Sequence, residues 1–439
     1  MTTAKESEIL TRTGPGTLMG ELMRQYWLPA IKSPELQADG EPLRFMLLGE
    51  KLIAFRDTSG RIGVMDHRCP HRCASFFFGR NEENGIRCTY HGWKFDVEGN
   101  CTDMANVPAH QDFKDKVKAK AYKAEERNGL VYVYMGKKKK PPPLPDLEAA
   151  LLPEEEIDLL FVQRQCNWLQ SLEGEIDTSH LGFLHFGAAR TQDFERGDHS
   201  RLVVGNRTPE YHVKDTKFGV SYGGYREAER NQTYWRVAHF LFPFWSMPPV
   251  GPIESNFLTR AWVPLDDENH MVIGFFKKPA PDAGRVAPDQ WFAGASHNYR
   301  YLPRTTEWMG RFRRVDNMTN DYNINRDLQR AGVSYTGIDG IQLQDQAVQE
   351  SMGAITDHTF ERLAPSDRMI TQVRRRLIGA ARAFKKTGKA PPAAGNHKDY
   401  TGVRGGHFRT PKKTNWVKAY KAEIAKSPDV LAEQAEAAE

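Results

Sequence analysis

Two pairs of metal-binding side chains lie close together in this 439-residue chain. Cys69 and His71 are separated by one residue, and Cys88 and His91 follow after sixteen more. Thiolates hold ferric iron well, and neutral imidazoles also accept it. When two histidines replace two cysteines on one iron of a [2Fe–2S] cluster, its potential rises to roughly −150 to +300 mV. The spacing predicts such a cluster, with Cys69 and Cys88 on one iron and His71 and His91 on the other.

A structural zinc site is the main alternative, because zinc also accepts mixed cysteine and histidine ligands. Zinc sites of this kind usually separate paired ligands by at least two residues, whereas a single proline separates Cys69 from His71. His91 also opens a glycine-containing turn, residues 91–96, that returns into a strand pattern. These features favour the two-iron cluster, a Rieske centre, which passes on single electrons.

A second candidate metal set, Asp177, His180 and His185, has the spacing Asp-x2-His-x4-His. On a helix, Asp177 and His180 would share a face, but His180 and His185 would lie about 140° apart. A helix break near Gly182 would let both imidazoles converge on one metal ion. Two histidines and one carboxylate form the facial triad of non-haem Fe(II) oxygenases. Two histidines in a helical stretch are more often structural, and the cluster motif upstream is what favours iron here.

The first motif and its surroundings resemble the Rieske domain of the large subunits of ring-hydroxylating oxygenases. The matching residues are Cys69-Pro70-His71-Arg72, Gly79-Arg80-Asn81, Cys88 and Tyr90-His91-Gly92-Trp93-Lys94-Phe95-Asp96. Cys73 departs from the family, in which a small residue such as glycine is commoner at that position. We expect Cys73 to be a packing thiol and not a cluster ligand.

The second motif resembles the mononuclear iron site of the same subunits, which makes His180 and His185 iron ligands. Residues 342–353 resemble the phthalate dioxygenase-like branch of the family, in which the aspartate matching Asp345 is the third ligand. The residue pattern by itself leaves Asp339 and Asp357 as rivals for that place.

Asp177 matches the acidic residue that links the two iron centres in these subunits. The family forms trimers, or stacked trimers, in which this residue joins the cluster of one subunit to the iron of the next. The resemblance implies that electrons pass through His91 and Asp177, with Asp177 hydrogen-bonded to His180 and to the neighbour's His91. The alternative is a helix-capping or salt-bridged carboxylate with no part in electron transfer.

The same resemblance implies the terminal oxygenase component of an aromatic catabolic system. A separate reductase of the flavin and iron–sulfur type would supply electrons from NADH, since the chain carries no G-x-G-x-x-G fingerprint after a strand. O2 would react at Fe(II), and an aromatic acid would be hydroxylated on its ring or O-demethylated. A buried arginine suits the carboxylate of such an acid. The candidates in the sheet region are Arg207, Arg236 and Arg260.

Two other functions fit parts of the pattern. A Rieske electron-transfer protein would need only the first motif and would hold two irons per chain, whereas the oxygenase would hold three. A structural or regulatory metal-binding protein would take up no O2 with any aromatic compound. Iron content and O2 uptake therefore separate the three functions.

Composition is that of an ordinary globular protein, with 39% hydrophobic and 27% charged residues. A net charge of +5 with no nucleic-acid-binding motif predicts no nucleic-acid partner. No apolar run approaches the roughly 18–20 residues that span a bilayer, and residues 1–6 lack the apolar core of a signal peptide. Five cysteines, an odd and sparse set, argue against a disulfide framework and favour a reducing cytoplasm.

The helices and strands predicted around these motifs indicate an α+β protein. Residues 1–40 hold a short amphipathic helix, with Leu18, Leu22, Tyr26 and Trp27 at helical spacing, and form a segment expected to pack on the catalytic domain. Residues 41–140 are expected to form a small all-β Rieske domain. Its predicted strands are 45–49, 51–56, 62–66, 94–97 and 130–135. Four lysines at 137–140 and three prolines at 141–143 then form a linker.

Residues 141–439 are expected to form the catalytic domain, with helices on an antiparallel sheet in a helix-grip-like arrangement. Its predicted strands, rich in aromatic and β-branched residues, are 219–222, 234–242, 257–263 and 271–276. A helix through residues 342–353 is predicted to bury Leu343, Ala347, Val348 and Met352, with Asp345 beside that stripe. Residues 416–426 are predicted to be helical, and residues 433–439 are predicted to fray.

Overall fold

The computed structural model describes residues 2–278 and 299–427. In this part of the chain the helices are α1 (Ala4–Thr11), α2 (Leu18–Met23), α3 (Trp168–Ile176), α4 (His199–Gly205), α5 (Arg326–Arg330), α6 (Ile341–Glu350), α7 (Arg368–Thr387) and α8 (Trp416–Ile424). The strands are β1 (Trp27–Lys32), β2 (Leu43–Leu47), β3 (Glu50–Arg56), β4 (Ile62–Asp66), β5 (Arg80–Glu82), β6 (Gly85–Arg87), β7 (Trp93–Phe95), β8 (Cys101–Met104), β9 (Ala121–Arg127), β10 (Leu130–Tyr134), β11 (Ile157–Arg164), β12 (Glu210–Asp215), β13 (Gly219–Ala228), β14 (Gln232–Leu241), β15 (Trp245–Met247), β16 (Thr259–Pro264), β17 (His270–Lys277) and β18 (Gly406–Pro411). The strands form three sheets beside the helices, which confirms the predicted α+β class.

The first domain contains a six-stranded sheet in the order β1-β10-β9-β4-β3-β2, with antiparallel pairing. In β2, Leu43, Phe45 and Leu47 are buried while the residues between them are half-buried. Because the buried positions recur at every second residue, one face of the strand points toward the core. β4 runs from this sheet directly into the loop that carries Cys69 and His71.

A four-stranded sheet, in the order β5-β6-β7-β8, carries the second ligand loop between β6 and β7. This part of the domain has its own core, in which Phe76, Ile86 and Phe95 are buried together with Cys69 and Cys88. The rings of Phe76 and Phe95 meet edge to face, with their centroids 5.3 Å apart. The small apolar core therefore holds the two ligand loops against each other.

The second domain is built on an eight-stranded sheet in the order β11-β17-β16-β15-β14-β13-β12, with β18 pairing β14. Helices α3 and α7 pack on one face of this sheet. α8 packs on the other face, where Trp416 lies against Trp235. Because both faces are covered, β14 and β16 are buried along most of their length.

The sequence of helix α7 explains how this helix packs on the eight-stranded sheet. Apolar residues recur one turn apart along its buried face, namely Met369, Val373, Leu377 and Ala381. Arg374 on the same side pairs with Glu173 of α3 at 2.6 Å. The helix ends at Gly388, whose φ of +65° is the left-handed conformation that glycine adopts most easily. α7 thereby fixes α3, the helix that leads to the predicted iron ligands.

The first 40 residues contact both domains. α1 and α2 pack against α7, whereas β1 pairs with β10 in the six-stranded sheet. The predicted helix includes Leu18 and Leu22 but ends at Met23, and Trp27 opens β1 instead. The helical assignment of Trp27 is therefore wrong, because β10 supplies a strand partner far along the chain that local periodicity does not reveal.

Among the described residues, no helix combines the length and the apolar character needed to cross a membrane. The predicted fraying of residues 433–439 concerns a segment outside the described residues.

Candidate metal centres

The two predicted cluster-ligand loops close in the same way. The amide of Cys69 donates to the carbonyl of Ala74 (2.8 Å), and the amide of Cys73 donates to the carbonyl of Cys69 (2.9 Å). The second loop repeats both hydrogen bonds, at 2.8 and 2.9 Å, starting from Cys88. Each cysteine therefore lies at the base of its loop, and each histidine lies on the loop above it.

Both loops have a left-handed residue at the same place, with φ of +60° at Cys73 and +77° at Gly92. This conformation favours glycine, because a Cβ atom is strained there. The turn accounts for the preference for glycine at position 73 in the resembled family. The prediction that Cys73 is a packing thiol is wrong, because its side chain is exposed.

The four predicted cluster ligands, Cys69, His71, Cys88 and His91, lie together. The two thiols are neighbours and are only 1% and 3% exposed, and the rings of the two histidines have centroids 4.4 Å apart. Nδ1 of His91 is buried and has no hydrogen-bond partner among the described residues. Burial raises the pKa of the Cys69 thiol to about 12, so that this sulfur would ionise only beside a strong positive charge. Two thiols, two imidazoles and an orphaned ring nitrogen fit a Rieske [2Fe–2S] cluster.

Aromatic side chains orient the two imidazoles. The ring of Trp93 stacks on His71 at a centroid distance of 4.4 Å, and its Nε1 donates to Asn106 Oδ1 at 2.7 Å. The ring of Tyr90 lies 3.9 Å from that of His91 and is 56% exposed. The histidine edge of the site therefore lies close to the protein surface, whereas the cysteine edge is buried.

The structure brings His180, His185 and Asp345 to one point. Nε2 of His180 lies 3.1 Å from Nε2 of His185. Oδ1 of Asp345 lies 3.6 Å from the first of these nitrogens and 3.3 Å from the second. The three ligand atoms all lie within 4.8 Å of one another. Two imidazole nitrogens and one carboxylate oxygen that face a common point fit the facial triad of non-haem Fe(II).

Electrostatics at this point favour a cation. Burial would raise the pKa of Asp345, but positive charge on His185 and His180 lowers it to about 2. Burial would likewise lower the pKa of His180, but Asp177 and Asp345 raise it to about 9. The carboxylates therefore stabilise positive charge at the imidazoles, and a divalent cation at the same point would be stabilised by the same groups.

The chain reaches this point because α3 ends earlier than predicted. The helix stops at Ile176, and Asp177 follows it with an extended backbone. A single turn of 3-10 helix, His180–Gly182, comes next. The prediction that Asp177 and His180 share a helical face is therefore wrong. The predicted helix break exists, but it comes before both histidines. The side chains of His180 and His185 are therefore not held about 140° apart, as they would be on a regular helix.

Asp177 lies beside the first of these histidines, with its Oδ2 3.5 Å from Nδ1 of His180. Its Oδ1 accepts hydrogen bonds from the amide (2.6 Å) and the hydroxyl (2.7 Å) of Ser179. This local turn fixes the carboxylate and leaves Oδ2 for the imidazole. Burial would raise the pKa of Asp177, but His180 lowers it, so the carboxylate is ionised next to the ring. Asp177 thus places an ionised carboxylate beside Nδ1 of His180, a buried nitrogen that has no closer partner among the described residues.

Gln344 performs the corresponding task for the second histidine. Its Oε1 lies 2.7 Å from Nδ1 of His185, and its Nε2 donates to the carbonyl of Ile338 at 2.9 Å. Because the amide is fixed from the other side, Oε1 accepts the Nδ1 proton and leaves Nε2 of His185 free to bind a metal. Sequence reasoning did not assign this role. Its one signal was the position of Gln344 next to Asp345.

We expect Gln344→Leu to weaken Fe(II) binding about 10- to 100-fold, the usual effect of removing a partner that orients a metal-binding histidine. Titration of Fe(II) against a competing chelator measures this, while the cluster spectrum should stay unchanged. Gln346→Leu is the matched control, because Gln346 is a buried glutamine of the same helix that donates to Glu350 at 2.8 Å. Equal Fe(II) affinity in the two variants would contradict the role of Gln344.

The two rival aspartates lie elsewhere. Asp339 and Asp357 are both exposed, and Asp357 accepts a hydrogen bond from the hydroxyl of Thr359 at 2.6 Å. Neither belongs to the group formed by His180, His185 and Asp345. Asp345 is therefore the carboxylate that the geometry favours as third ligand.

The predicted buried stripe of α6 is only partly correct. Leu343 and Ala347 are buried, but Val348 and Met352 are 37% and 51% exposed. Polar residues occupy the buried positions instead, namely Gln344, Gln346, Gln349 and Glu350. Each has partners within the core, such as Tyr322, whose hydroxyl donates to Glu350. A prediction from the apolar residues alone therefore assigned the wrong face of α6 to the core.

The three candidate arginines have different surroundings. Arg207 donates to the carbonyls that follow His185, and Arg260 forms a buried ion pair with Glu175. Nε of Arg236 donates to Thr178 Oγ1 at 2.9 Å, next to Asp177. A fourth arginine, Arg226, was not among the candidates, although it is 2% exposed and both its terminal nitrogens are without hydrogen-bond partners among the described residues.

Two family models match the chain. One, described as the Rieske [2Fe-2S] domain, matches residues 26–119. The other, described as LigXa C-terminal domain like, matches residues 133–438. The first match contains the four candidate cluster ligands, and the second contains the three residues of the candidate iron site.

Similar proteins and solved structures agree with these two matches. A 3-chlorobenzoate-3,4-dioxygenase oxygenase subunit from Comamonas testosteroni is 47% identical over 97% of this chain and 99% of its own length. A phthalate 4,5-dioxygenase oxygenase subunit from Pseudomonas putida is 34% identical over 88% of this chain and 87% of its own length. Among solved structures, NdmA of Pseudomonas putida CBB5 with caffeine superposes with a TM-score of 0.58 at 18% identity, covering 86% of this chain and 96% of that one. At that identity the likeness concerns the fold.

Proposed function

Since this chain belongs to the large oxygenase subunits of the Rieske non-haem iron aromatic ring-hydroxylating oxygenases, we propose that it oxidises an aromatic acid. Its branch of the family is the phthalate dioxygenase-like one. It is the terminal oxygenase component of a system that uses O2 and electrons from a reductase. The observation that carries the proposal is the meeting of His180, His185 and Asp345 at one point.

The residues divide into two sets of ligands and two residues that orient them. The cluster would be held by Cys69, His71, Cys88 and His91, and Fe(II) by His180, His185 and Asp345. When bound, the cluster supplies single electrons and Fe(II) supplies the place where O2 reacts. Gln344 and Asp177 keep the Nδ1 atoms of the two histidines protonated, which leaves their Nε2 atoms as ligands.

The substrate class follows from the relatives. The two relatives above act, by their names, on 3-chlorobenzoate and on phthalate, both aromatic carboxylates. Both are dioxygenases by name, so we propose addition of two hydroxyl groups to the ring. O-demethylation of a methoxylated aromatic acid uses the same ligand set and is a separate outcome of the test below.

We propose that the subunits form a homotrimer, alone or stacked in pairs, in which His91 of one subunit meets Asp177 of the next. The exposed ring of Tyr90 lies beside His91, and Phe183, three residues beyond His180, is 48% exposed. Exposed aromatic rings at both ends of the proposed contact suit a protein interface. In this arrangement Asp177 accepts hydrogen bonds from two imidazoles of different subunits.

We propose that the electron donor is an NADH-dependent reductase of the flavin and iron–sulfur type. The surface position of the histidine edge of the cluster site supports donation from a separate protein. A reducing cytoplasm suits the buried Cys69 and Cys88, which must remain unpaired thiols before iron is inserted.

The test is turnover of a panel of aromatic acids by the iron-loaded protein, NADH and a flavin and iron–sulfur reductase. We expect O2 uptake that depends on the acid, with a product that has gained two oxygens and two hydrogens. Loss of a methylene from a methoxylated acid would show O-demethylation instead. Electron transfer through the cluster with every acid left unchanged would overturn the proposal, because it would describe an electron carrier.

A further inference from the structure

A group of buried polar side chains joins the end of α6 to α3 and β11. Its members, here called the α3–α6 brace, are each at most 4% exposed, namely Arg164 of β11, Gln170 and Ser171 of α3, and Gln349 of α6. Burying polar groups costs free energy, and apolar residues would pack two helices together without that cost. A fully bonded polar network instead fixes one particular arrangement of the groups that it joins.

The hydrogen bonds of the brace converge on Gln349. Its Oε1 accepts from the hydroxyl of Ser171 at 2.7 Å and from Nη1 of Arg164. Nη1 of Arg164 also donates to Ser171 Oγ at 3.2 Å. Nε2 of Gln170 donates to the carbonyl of Gln349 at 3.0 Å and to that of Gly353 at 3.1 Å. Side chains of α3 and β11 therefore hold both the side chain and the backbone at the C-terminal end of α6.

The two helices approach each other closely at Gly174 of α3. A Cβ atom at this position would lie 2.2 Å from Nε2 of Gln349 and 3.2 Å from its Cδ. A glutamine amide can often rotate away from such a contact, but Oε1 of this one is held by two donors. The distance between α3 and α6 at this point is therefore one that only glycine allows.

This contact lies one helical turn from both segments of the candidate iron site. Gln349 follows Asp345 by four residues and shares its face of α6. Gly174 precedes Asp177 by three residues, and His180 follows three residues later. A metal site requires its ligands to be held within roughly 0.5 Å of their working positions. The contact between Gly174 and Gln349 is placed to hold the two ligand segments at a fixed separation.

We propose that Gln349 is a positioning residue of the iron site, which holds α6 against Gly174 of α3 and so sets the distance from Asp345 to the two histidines. The inference rests on the proposed function, because it takes Asp345, His180 and His185 as the Fe(II) ligands. Gln344 orients one imidazole, whereas Gln349 sets the spacing between the two segments that carry the ligands.

The first test adds the missing Cβ atom. Gly174→Ala is expected to move α6 away from α3 and to weaken Fe(II) binding about 10- to 100-fold, the usual effect of disturbing the support of a metal ligand. Competition with a chelator measures the affinity. The paramagnetic resonance spectrum of the Fe(II) site treated with nitric oxide should also change, because its shape depends on ligand geometry. Gly379→Ala is the matched control, since a Cβ atom at this glycine of α7 meets nothing within 4 Å.

The second test removes the atoms that the new methyl group would meet. Gln349→Ala should weaken Fe(II) binding by itself, because α6 loses its contact with α3. The double variant Gly174→Ala/Gln349→Ala should bind Fe(II) no more weakly than Gln349→Ala alone, because the clash with the amide is gone. Effects that multiply in the double variant would show that the two residues act separately, and would contradict the inference.

The third test separates positioning from general stability. Gln349→Glu keeps the oxygens that accept from Ser171 and Arg164, so it should retain the Fe(II) affinity and the spectrum of wild type. Gln349→Leu loses them and should weaken Fe(II) binding. Gln346→Leu is the control, because Gln346 is bonded within α6. If Gln349 only stabilised the fold, Gln349→Leu would lower the melting temperature and leave the affinity and the spectrum of the folded protein unchanged.

Wild-type Fe(II) affinity and spectrum in both Gly174→Ala and Gln349→Leu would overturn the inference. The proposed function would survive that result, because Fe(II) would still bind and aromatic acids would still be oxidised. Wild-type protein that held no iron beyond the two atoms of the cluster would overturn the proposed function, and the inference with it.

Discussion

Asp345→Ala is expected to lower the iron content from three atoms per chain to two and to abolish oxidation of the aromatic acid. Oδ1 of Asp345 lies 3.3 Å from Nε2 of His185 and is the carboxylate oxygen that faces both imidazoles. Without it, two neutral ligands would hold a hard divalent cation weakly. The loss of product formation should exceed the roughly 10- to 100-fold effect of removing a residue that only supports a metal ligand. Iron analysis, the visible spectrum and a product assay on one sample measure all three effects.

The cluster spectrum should remain that of wild type, because Asp345 lies in the second domain. Asp339→Ala and Asp357→Ala are the controls, since both aspartates are exposed carboxylates near α6. They should keep three irons and wild-type turnover. Retention of three irons by Asp345→Ala would remove this residue from the ligand set.

Asp177→Ala, supplied with enough Fe(II) to fill both metal sites, is still expected to lower coupled turnover by about 100-fold. The carboxylate holds the Nδ1 side of His180 at 3.5 Å and is the proposed contact for His91 of the neighbouring subunit. Its removal should slow reoxidation of the reduced cluster in the presence of O2 and substrate. Stopped-flow absorption of the cluster measures that rate, and reduction of the cluster by the reductase should be unaffected.

Asp193→Ala is the matched control for this variant. Asp193 is an exposed carboxylate at the end of the short 3-10 helix Thr191–Asp193 beyond His185, where it accepts a hydrogen bond from the amide of Arg190 at 2.7 Å. Its replacement should leave turnover unchanged. If Asp177 were only a residue at the end of α3, its replacement would change stability but not the rate of cluster reoxidation. Turnover like that of wild type in Asp177→Ala would exclude the bridge.

Several apolar strands could be predicted from the sequence, but the apolar strands β1 and β11 were missed, as were the polar strands. β3, β4 and β10 lie close to their predicted positions because runs such as Leu130–Tyr134 are buried throughout. β9 was missed because its exposed positions carry charged residues, such as Glu125 and Glu126. β18 was missed because its partner β14 lies far away in sequence. Pairing across such distances is set by tertiary packing, which a local pattern does not contain.

The metal-binding residue types could be predicted, but not the backbone that brings them together. The spacing of His180 and His185 suggested a helix, whereas α3 ends at Ile176, His180 begins a single turn of 3-10 helix and His185 follows that turn. Asp345 was identified through family resemblance, since its neighbours in sequence offered equal carboxylates. The burial of Arg226 was missed because the predicted strand ended at residue 222, whereas β13 continues to Ala228, and burial cannot be read from residue type.

The most direct test of the central claim is a single turnover with 18O2. The iron-loaded protein is reduced, separated from its reductase, and mixed with 18O2 and the aromatic acid that is turned over fastest in the panel. The expected product carries two hydroxyl oxygens derived from 18O2, in proportion to the amount of protein. An oxidised cluster together with an aromatic acid free of 18O would contradict the claim, because the chain would then transfer electrons without oxygenating a substrate.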